Sequence, residues 1–223
     1  PPRSTLFPYT TLFRSLKSVA FVLAEDTRES KKLFNRYDIN TQLISYRDQN
    51  HIKMFNKIKE KLDMGLNLAL ISDCGTPLIS DPGFKLVREL RELEYIIESI
   101  PGPSALISAL SISGLPTDKF VFLGFLPKSD VKRKRIISKY IQFNDTLVIY
   151  ESPKRVLSLL SLIDECTDLN MVVLAKDLTK LREEVLRGEA TELITLLKQR
   201  DFESSPHGEF VVLITPSFSK RVN

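Results

Sequence analysis

The sequence predicts an α/β protein made of two α/β domains with mostly parallel sheets. Three observations carry that prediction. Short apolar runs alternate with stretches of helical spacing along most of the chain. The alternation restarts after Gly114-Leu115-Pro116-Thr117, the best linker candidate. Loops carrying Gly, Pro and acidic residues repeatedly follow the apolar runs, at the strand ends where open α/β sheets bind ligands.

In order, strands are expected over 19–24, 42–46, 68–71 and 95–100, with helices over 30–37, 52–64, 84–93 and 104–113. After the linker, strands are expected over 120–125, 146–150, 171–175, 183–187 and 210–214. Helices are expected there over 130–141, 153–166 and 190–200. Pro1-Pro2-Arg3-Ser4-Thr5 and the residues after it show no strand or helix periodicity and lack the continuous apolar core of a secretory signal. Residues 1–15 therefore read as an unrelated, artefactual leader and 217–223 as a tail. That leaves domains at 16–115 and 116–216 with a ligand cleft expected between them.

A chain of 223 residues with 43% hydrophobic and 27% charged residues can bury a substantial core. Its net charge of +4 permits an anionic partner. Two cysteines, Cys74 and Cys166, match no disulfide framework or zinc spacing, which points to a reducing cytoplasm. With His51 and His207 as the only histidines, no metal site is expected, and no apolar stretch is long enough to span a membrane.

Four strand-end segments could carry chemistry. The first, Ser72-Asp73-Cys74-Gly75-Thr76-Pro77 through Asp81-Pro82-Gly83, exceeds what a capped turn requires, although Asp81-Pro82 suits a helix start. In Pro101-Gly102-Pro103-Ser104-Ala105, a capped helix and an anion-binding helix end are both open readings. Glu25-Asp26-Thr27-Arg28 fits either a capping box or a substrate-orienting cluster. In Tyr150-Glu151-Ser152-Pro153, the carboxylate of Glu151 stands where structure alone needs none. The basic run with Lys128, Lys132, Arg133 and Arg135 is either a solvated helix face or a contact for RNA phosphates.

Together these segments resemble the tetrapyrrole methylase superfamily and, within it, the ribosomal RNA small subunit methyltransferase I family. Gly114-Leu115-Pro116-Thr117-Asp118, Gly124-Phe125-Leu126-Pro127, Leu178-Thr179-Lys180 and Gly208-Glu209-Phe210 add to the match, which runs in family order over about residues 16–215. The resemblance implies S-adenosylmethionine-dependent 2′-O-methylation of a cytidine in the decoding region of 16S ribosomal RNA. It implies a cofactor cleft lined by Asp73, Cys74, Gly75, Thr76, Pro77, Ser104 and Ala105, bordered by Tyr150, Glu151 and Phe210. Glu25, Asp26 and Arg28 would face the substrate, with Glu25 or Asp26 ahead of Glu151 as proton acceptor. Lys128, Lys132, Arg133 and Arg135 would face RNA of the 30S subunit, and the family habit is a homodimer in the cytoplasm.

Three departures stand out. The family's first strand, with its Thr-Pro-x-Gly-Asn loop, is expected to be missing, replaced by the leader. Gln49-Asn50 stands where relatives usually have His-Asn, and the carboxyl-terminal helical extension of many relatives is expected to be missing. A tetrapyrrole-type small-molecule methylase and an inactive fragment are the competing expectations.

Overall fold

The computed structural model describes residues 8–167 and 171–215, so residues 1–7 of the leader and the 217–223 tail lie outside the described residues. The chain divides into two compact units, Pro1–Ser104 and Ala105–Asn223.

In the first unit, three apolar runs form parallel strands β1 (Phe21–Ala24), β2 (Gln42–Ser45) and β3 (Leu68–Ile71), in the order β2-β1-β3. Ala24 is in register with Ser45 and with Ile71, so all three strands end at one edge. Alternation sends Phe21 and Leu23 to one face and Val22 to the other. Helices α1 (Pro8–Ser18) and α2 (Thr27–Arg36) bury Leu16 and Phe34 with Val22. Helices α3 (His51–Asp63) and α4 (Phe84–Glu92) bury Ile58, Leu86 and Leu90 with Phe21 and Leu23. Each such side chain contributes about 1.5–3 kcal/mol when fully buried.

Two expectations need correction here. The leader does not stop at residue 15: α1 runs through it, because Phe13 and Leu16 share a helix face that packs beside Val22. Phe13 stacks on Tyr37, and Thr41 Oγ1 donates to the Leu16 carbonyl at 2.7 Å. Residues 95–100 join no sheet. Their alternation is explained by Tyr95 and Ile97 packing on the α3–α4 side of the core, while Ile96 faces solvent.

In the second unit, β4 (Phe120–Phe125), β5 (Thr146–Glu151), β6 (Met171–Lys176), β7 (Glu184–Gly188) and β8 (Phe210–Thr215) form a sheet in the order β4-β5-β8-β6-β7. Only β4 and β5 pair in parallel. β8 runs against both β5 and β6, and β6 and β7 form an antiparallel hairpin, so this sheet is mixed. Helix α5 (Ala105–Ser113) lays Leu106, Ala109 and Leu110 on Val148, Val173, Val211 and Leu213. Helices α6 (Asp130–Ile141), α7 (Val156–Cys166) and α8 (Ala190–Gln199) cover the opposite face, around Leu147, Ile149, Leu174 and Val212. The small residues of α5 thus serve its packing on this sheet, and Gly114-Leu115-Pro116-Thr117 lies within the second unit.

Candidate active site

The carboxyl edge of the first sheet gathers three loops. Asp26, in extended backbone, caps α2 by accepting the Arg28 N–H at 2.9 Å. The same carboxylate takes Arg28 Nε at 3.1 Å and Nη2 at 2.7 Å. The backbone N–H of Asp26 donates to Asp73 Oδ1 at 3.0 Å, which staples the loop after β1 to the loop after β3. Glu25 stands at the same place, half-buried.

Backbone strain marks the loop after β3. Leu78 and Ser80 adopt φ of 72° and 69°, a left-handed conformation costing about 1–2 kcal/mol for a residue with a side chain. Such strain collects at functional sites. Ser72 Oγ donates to the Cys74 carbonyl at 3.2 Å, and Thr76 Oγ1 donates to the Pro103 carbonyl at 3.0 Å, which brings in the Pro101-Gly102-Pro103 turn. Cys74 is exposed, and Ser104 immediately precedes α5. Asp81-Pro82 does not start α4. Gly83 does, at φ 125°, with its N–H donated to Asp48 Oδ1 at 3.1 Å. A Cβ there would stand 2.6 Å from Leu70 Cδ2, so the loop closes onto β3 only with glycine.

The acids of this edge are not equivalent. Burial raises the proton affinity of Glu25, and the negative charges of Asp73 and Asp81 add to it. The Arg47 guanidinium and the hydrogen bond from the Asp73 backbone oppose the rise. Asp81 also moves up, through burial and then Asp73, against a hydrogen bond from Ser72. The hydrogen bonds from Arg28 hold Asp26 well below the usual carboxylate range. One carboxylate is therefore suited to take up a proton while its neighbour stays ionised.

In the second unit the parallel pair β4–β5 brings Phe125 and Tyr150 to one edge, with ring centroids 5.6 Å apart. The Tyr150 hydroxyl accepts the Leu106 N–H at 3.1 Å, in the first turn of α5. Two side chains expected to meet ligand are instead committed to the core. Glu151 has a side chain only 1% exposed, with Oε2 lying 3.4 Å from Arg155 Nη2 and 3.8 Å from Arg133 Nη2. Phe210 is buried on the α6–α8 face, edge-on to Phe202. Arg133 is a correction of the same kind. At 2% exposure it donates to Asp130 at 2.8 Å and Ser158 at 3.0 Å, and it cannot reach an RNA phosphate. Its position on the inner face of α6, one turn before Ile137, explains the burial. Lys128, Lys132 and Arg135 remain exposed.

Residues 12–194 match the family of tetrapyrrole (corrin/porphyrin) methylases. The chain is 40% identical over 201 residues to ribosomal RNA small subunit methyltransferase I of Rickettsia prowazekii, covering 90% of this chain and 70% of the relative. It is 38% identical over 202 residues to the enzyme of that name from Thermotoga maritima, covering 91% and 89%. This chain belongs to the ribosomal RNA small subunit methyltransferase I family. Solved structures extend the likeness at the level of fold. Diphthine synthase superposes with a TM-score of 0.67 at 11% identity, covering 92% of this chain and 82% of that one. The cobalt precorrin-4 methyltransferase superposes at 0.62 with 12% identity, covering 90% and 85%.

In the turn after β2, where the sequence singled out Gln49-Asn50, sequence reasoning missed Arg47 and Asp48. Arg47 Nε donates to the Glu25 carbonyl at 3.0 Å, and its Nη2 lies 3.8 Å from Asp26. Asn50 closes the turn by accepting the Arg47 N–H at 2.9 Å, and Asp48 holds Gly83. His51 anchors the turn from below, 2.9 Å from the Tyr46 hydroxyl and 3.0 Å from Glu89. Burial, with the charges of Asp48 and Glu89, pushes the Tyr46 hydroxyl up to about 12, so it stays protonated. The available signal was positional, since Arg47-Asp48 follows a strand at the same sheet edge as Glu25 and Asp73. Among the described residues no cluster of His, Cys, Asp and Glu could hold a metal, and no helix is long and apolar enough to cross a membrane.

Proposed function

We propose that the chain transfers the methyl group of S-adenosyl-L-methionine to the ribose 2′-hydroxyl of a cytidine in 16S ribosomal RNA, with the 30S subunit as substrate. The observation that carries this reading is the staple from Asp26 to Asp73, which sets Glu25 beside the loop 72–83. The named activity of the relatives supports the RNA substrate.

The residues present fit the methyl donor. Its sulfonium and ammonium groups are cationic, and Asp73, Asp81 and Glu25 supply carboxylates at one sheet edge. At Gly75 the side-chain position is open, with only the Pro103 carbonyl at 4.0 Å, so a ligand can lie against the main chain. Asp73, Cys74, Gly75, Thr76 and Pro77, with Ser104 at the end of the same unit, are the residues we assign to hold it.

When bound, S-adenosyl-L-methionine supplies an electrophilic methyl group. The chain's task is to align the ribose oxygen in line with it and to take the hydroxyl proton. Glu25 fits that second role better than Asp26, whose oxygens are occupied by Arg28. Arg28 and Arg47 hold the two acids in place. Following the family, the enzyme acts as a homodimer in the cytoplasm, where its ribosomal substrate resides.

Tritium transfer from labelled S-adenosyl-L-methionine tests the reading, with 30S subunits and tetrapyrrole precursors as competing acceptors. Label in the ribose of one 16S cytidine is the expected result. Label in the tetrapyrrole alone, or in neither acceptor, would overturn it.

A further inference from the structure

We infer that Phe125 is a stacking platform for a nucleobase, with Lys128, Lys132 and Arg135 as the contacts for its phosphates. Phe125 ends β4, the edge strand of its sheet, and is 61% exposed. A single exposed aromatic is ordinary on a protein surface. Two features set this one apart.

Its seat is rigid. Tyr150 packs against Phe125 and Phe122 and is pinned through its hydroxyl to the Leu106 N–H. Arg155 Nη2 donates to the carbonyls of Leu126 at 3.0 Å and Pro127 at 2.8 Å, locking the residues that follow the ring. The buried Glu151 faces both Arg155 and Arg133. Its Oε2, with Arg133 Nε and Arg155 Nε, has no hydrogen-bond partner. A buried ionic group with unmade bonds is a poor source of stability. What this one supplies is the geometry of the 125–128 segment.

The surroundings are also cationic. Lys128, Lys132 and Arg135 are exposed and form no ion pair among the described residues, whereas Lys134 on the same helix is taken by Glu165. An exposed aromatic face at a strand end that leads into unpaired cations matches an unstacked base and its phosphates. An RNA base and the adenine of a nucleoside share that chemistry. Assigning the base to RNA rests on the function proposed above.

The test uses the full chain and three probes: a short single-stranded RNA, the same strand with abasic riboses, and S-adenosylhomocysteine. Phe125→Leu should weaken binding of the base-bearing strand by about fivefold to a hundredfold. It should leave the abasic strand and S-adenosylhomocysteine unchanged, and Phe125→Trp should restore binding. A loss confined to S-adenosylhomocysteine supports the platform and assigns it to the cofactor's adenine. Equal loss on both strands, or no loss on any probe, overturns it. Wild-type protein that binds RNA through its bases yet methylates no 30S subunit would sink the proposed function and leave the platform standing.

Discussion

Glu25 and Glu151 look alike in the sequence: each closes or follows an apolar strand and precedes a polar turn. Their surroundings make them opposites. Glu25 is half-buried, faced by Asp73 and Asp81, and opposed by one guanidinium, so its proton affinity rises. Glu151 is sealed between Arg155 and Arg133, with its Oε1 accepting the Ser152 N–H. A strand-end carboxylate becomes a candidate base or an internal strut according to the charge of its neighbours, and those neighbours come from distant parts of the chain.

The largest expected effect breaks the chemical half of this pair. Glu25→Gln should lower methyl transfer to 30S subunits by about a hundredfold to ten-thousandfold. The wild-type rate should rise with pH through the folded-state pKa of Glu25, which burial raises above the ordinary glutamate range, and the variant should lose that rise. Because a raised carboxylate pKa means that ionisation opposes folding, thermal stability of Glu25→Gln near neutral pH should equal or exceed the wild type. An unchanged pH–rate profile would move the base elsewhere.

Next is the structural half. Glu151→Gln removes the charge that faces the half-buried Arg155 and the buried Arg133, which keeps Asp130, and should cost about 1–3 kcal/mol in urea unfolding. Adding Arg155→Met should recover part of that loss. A fully stable Glu151→Gln would mean that the network is not held by charge.

Asp73→Ala sharpens the contrast, since it removes both the acceptor of the Asp26 N–H and a charge beside Glu25. A lost charged hydrogen bond of about 1.5–3 kcal/mol predicts S-adenosylhomocysteine binding weaker by about tenfold to a hundredfold. The acid limb of the rate profile should move to lower pH, because Asp73 raises the proton affinity of Glu25. Movement in the other direction would contradict the assigned electrostatics.

The smallest effect separates neighbours on α6. Removing Lys132 or Arg135 should reduce the salt dependence of RNA binding by about 0.7 in the log–log slope per lost phosphate contact. Cofactor affinity should be unaffected. Arg133→Glu, between them in sequence, should instead lower stability, because its side chain is buried against Asp130 and Ser158.

Much of the architecture was legible in the sequence. The β1, β3 and β5 runs are continuous and apolar, and the helices between them carry clear spacing. What misled was local. The alternation of 95–100 is satisfied by packing without a partner strand, and the helical face of Phe13 and Leu16 was hidden within an atypical leader. At the site, loops 25–28 and 72–83 were legible because their residue types exceed what turns require. Arg47 and Asp48 were not, since a polar pair after a strand has no distinctive composition until the register of β2 beside β1 sets it at the shared edge.

The sequence alone determined the family motifs, the order of elements and the strand-end positions of the polar clusters, because periodicity and turn chemistry are local properties. Only the tertiary structure decided which charged groups meet. It joined Asp26 to Asp73 across 47 residues, buried Arg133 while leaving Arg135 exposed, and separated Glu25 from Glu151 in character. Coulombic and desolvation energies depend on distance and burial, and neither can be read from order along the chain.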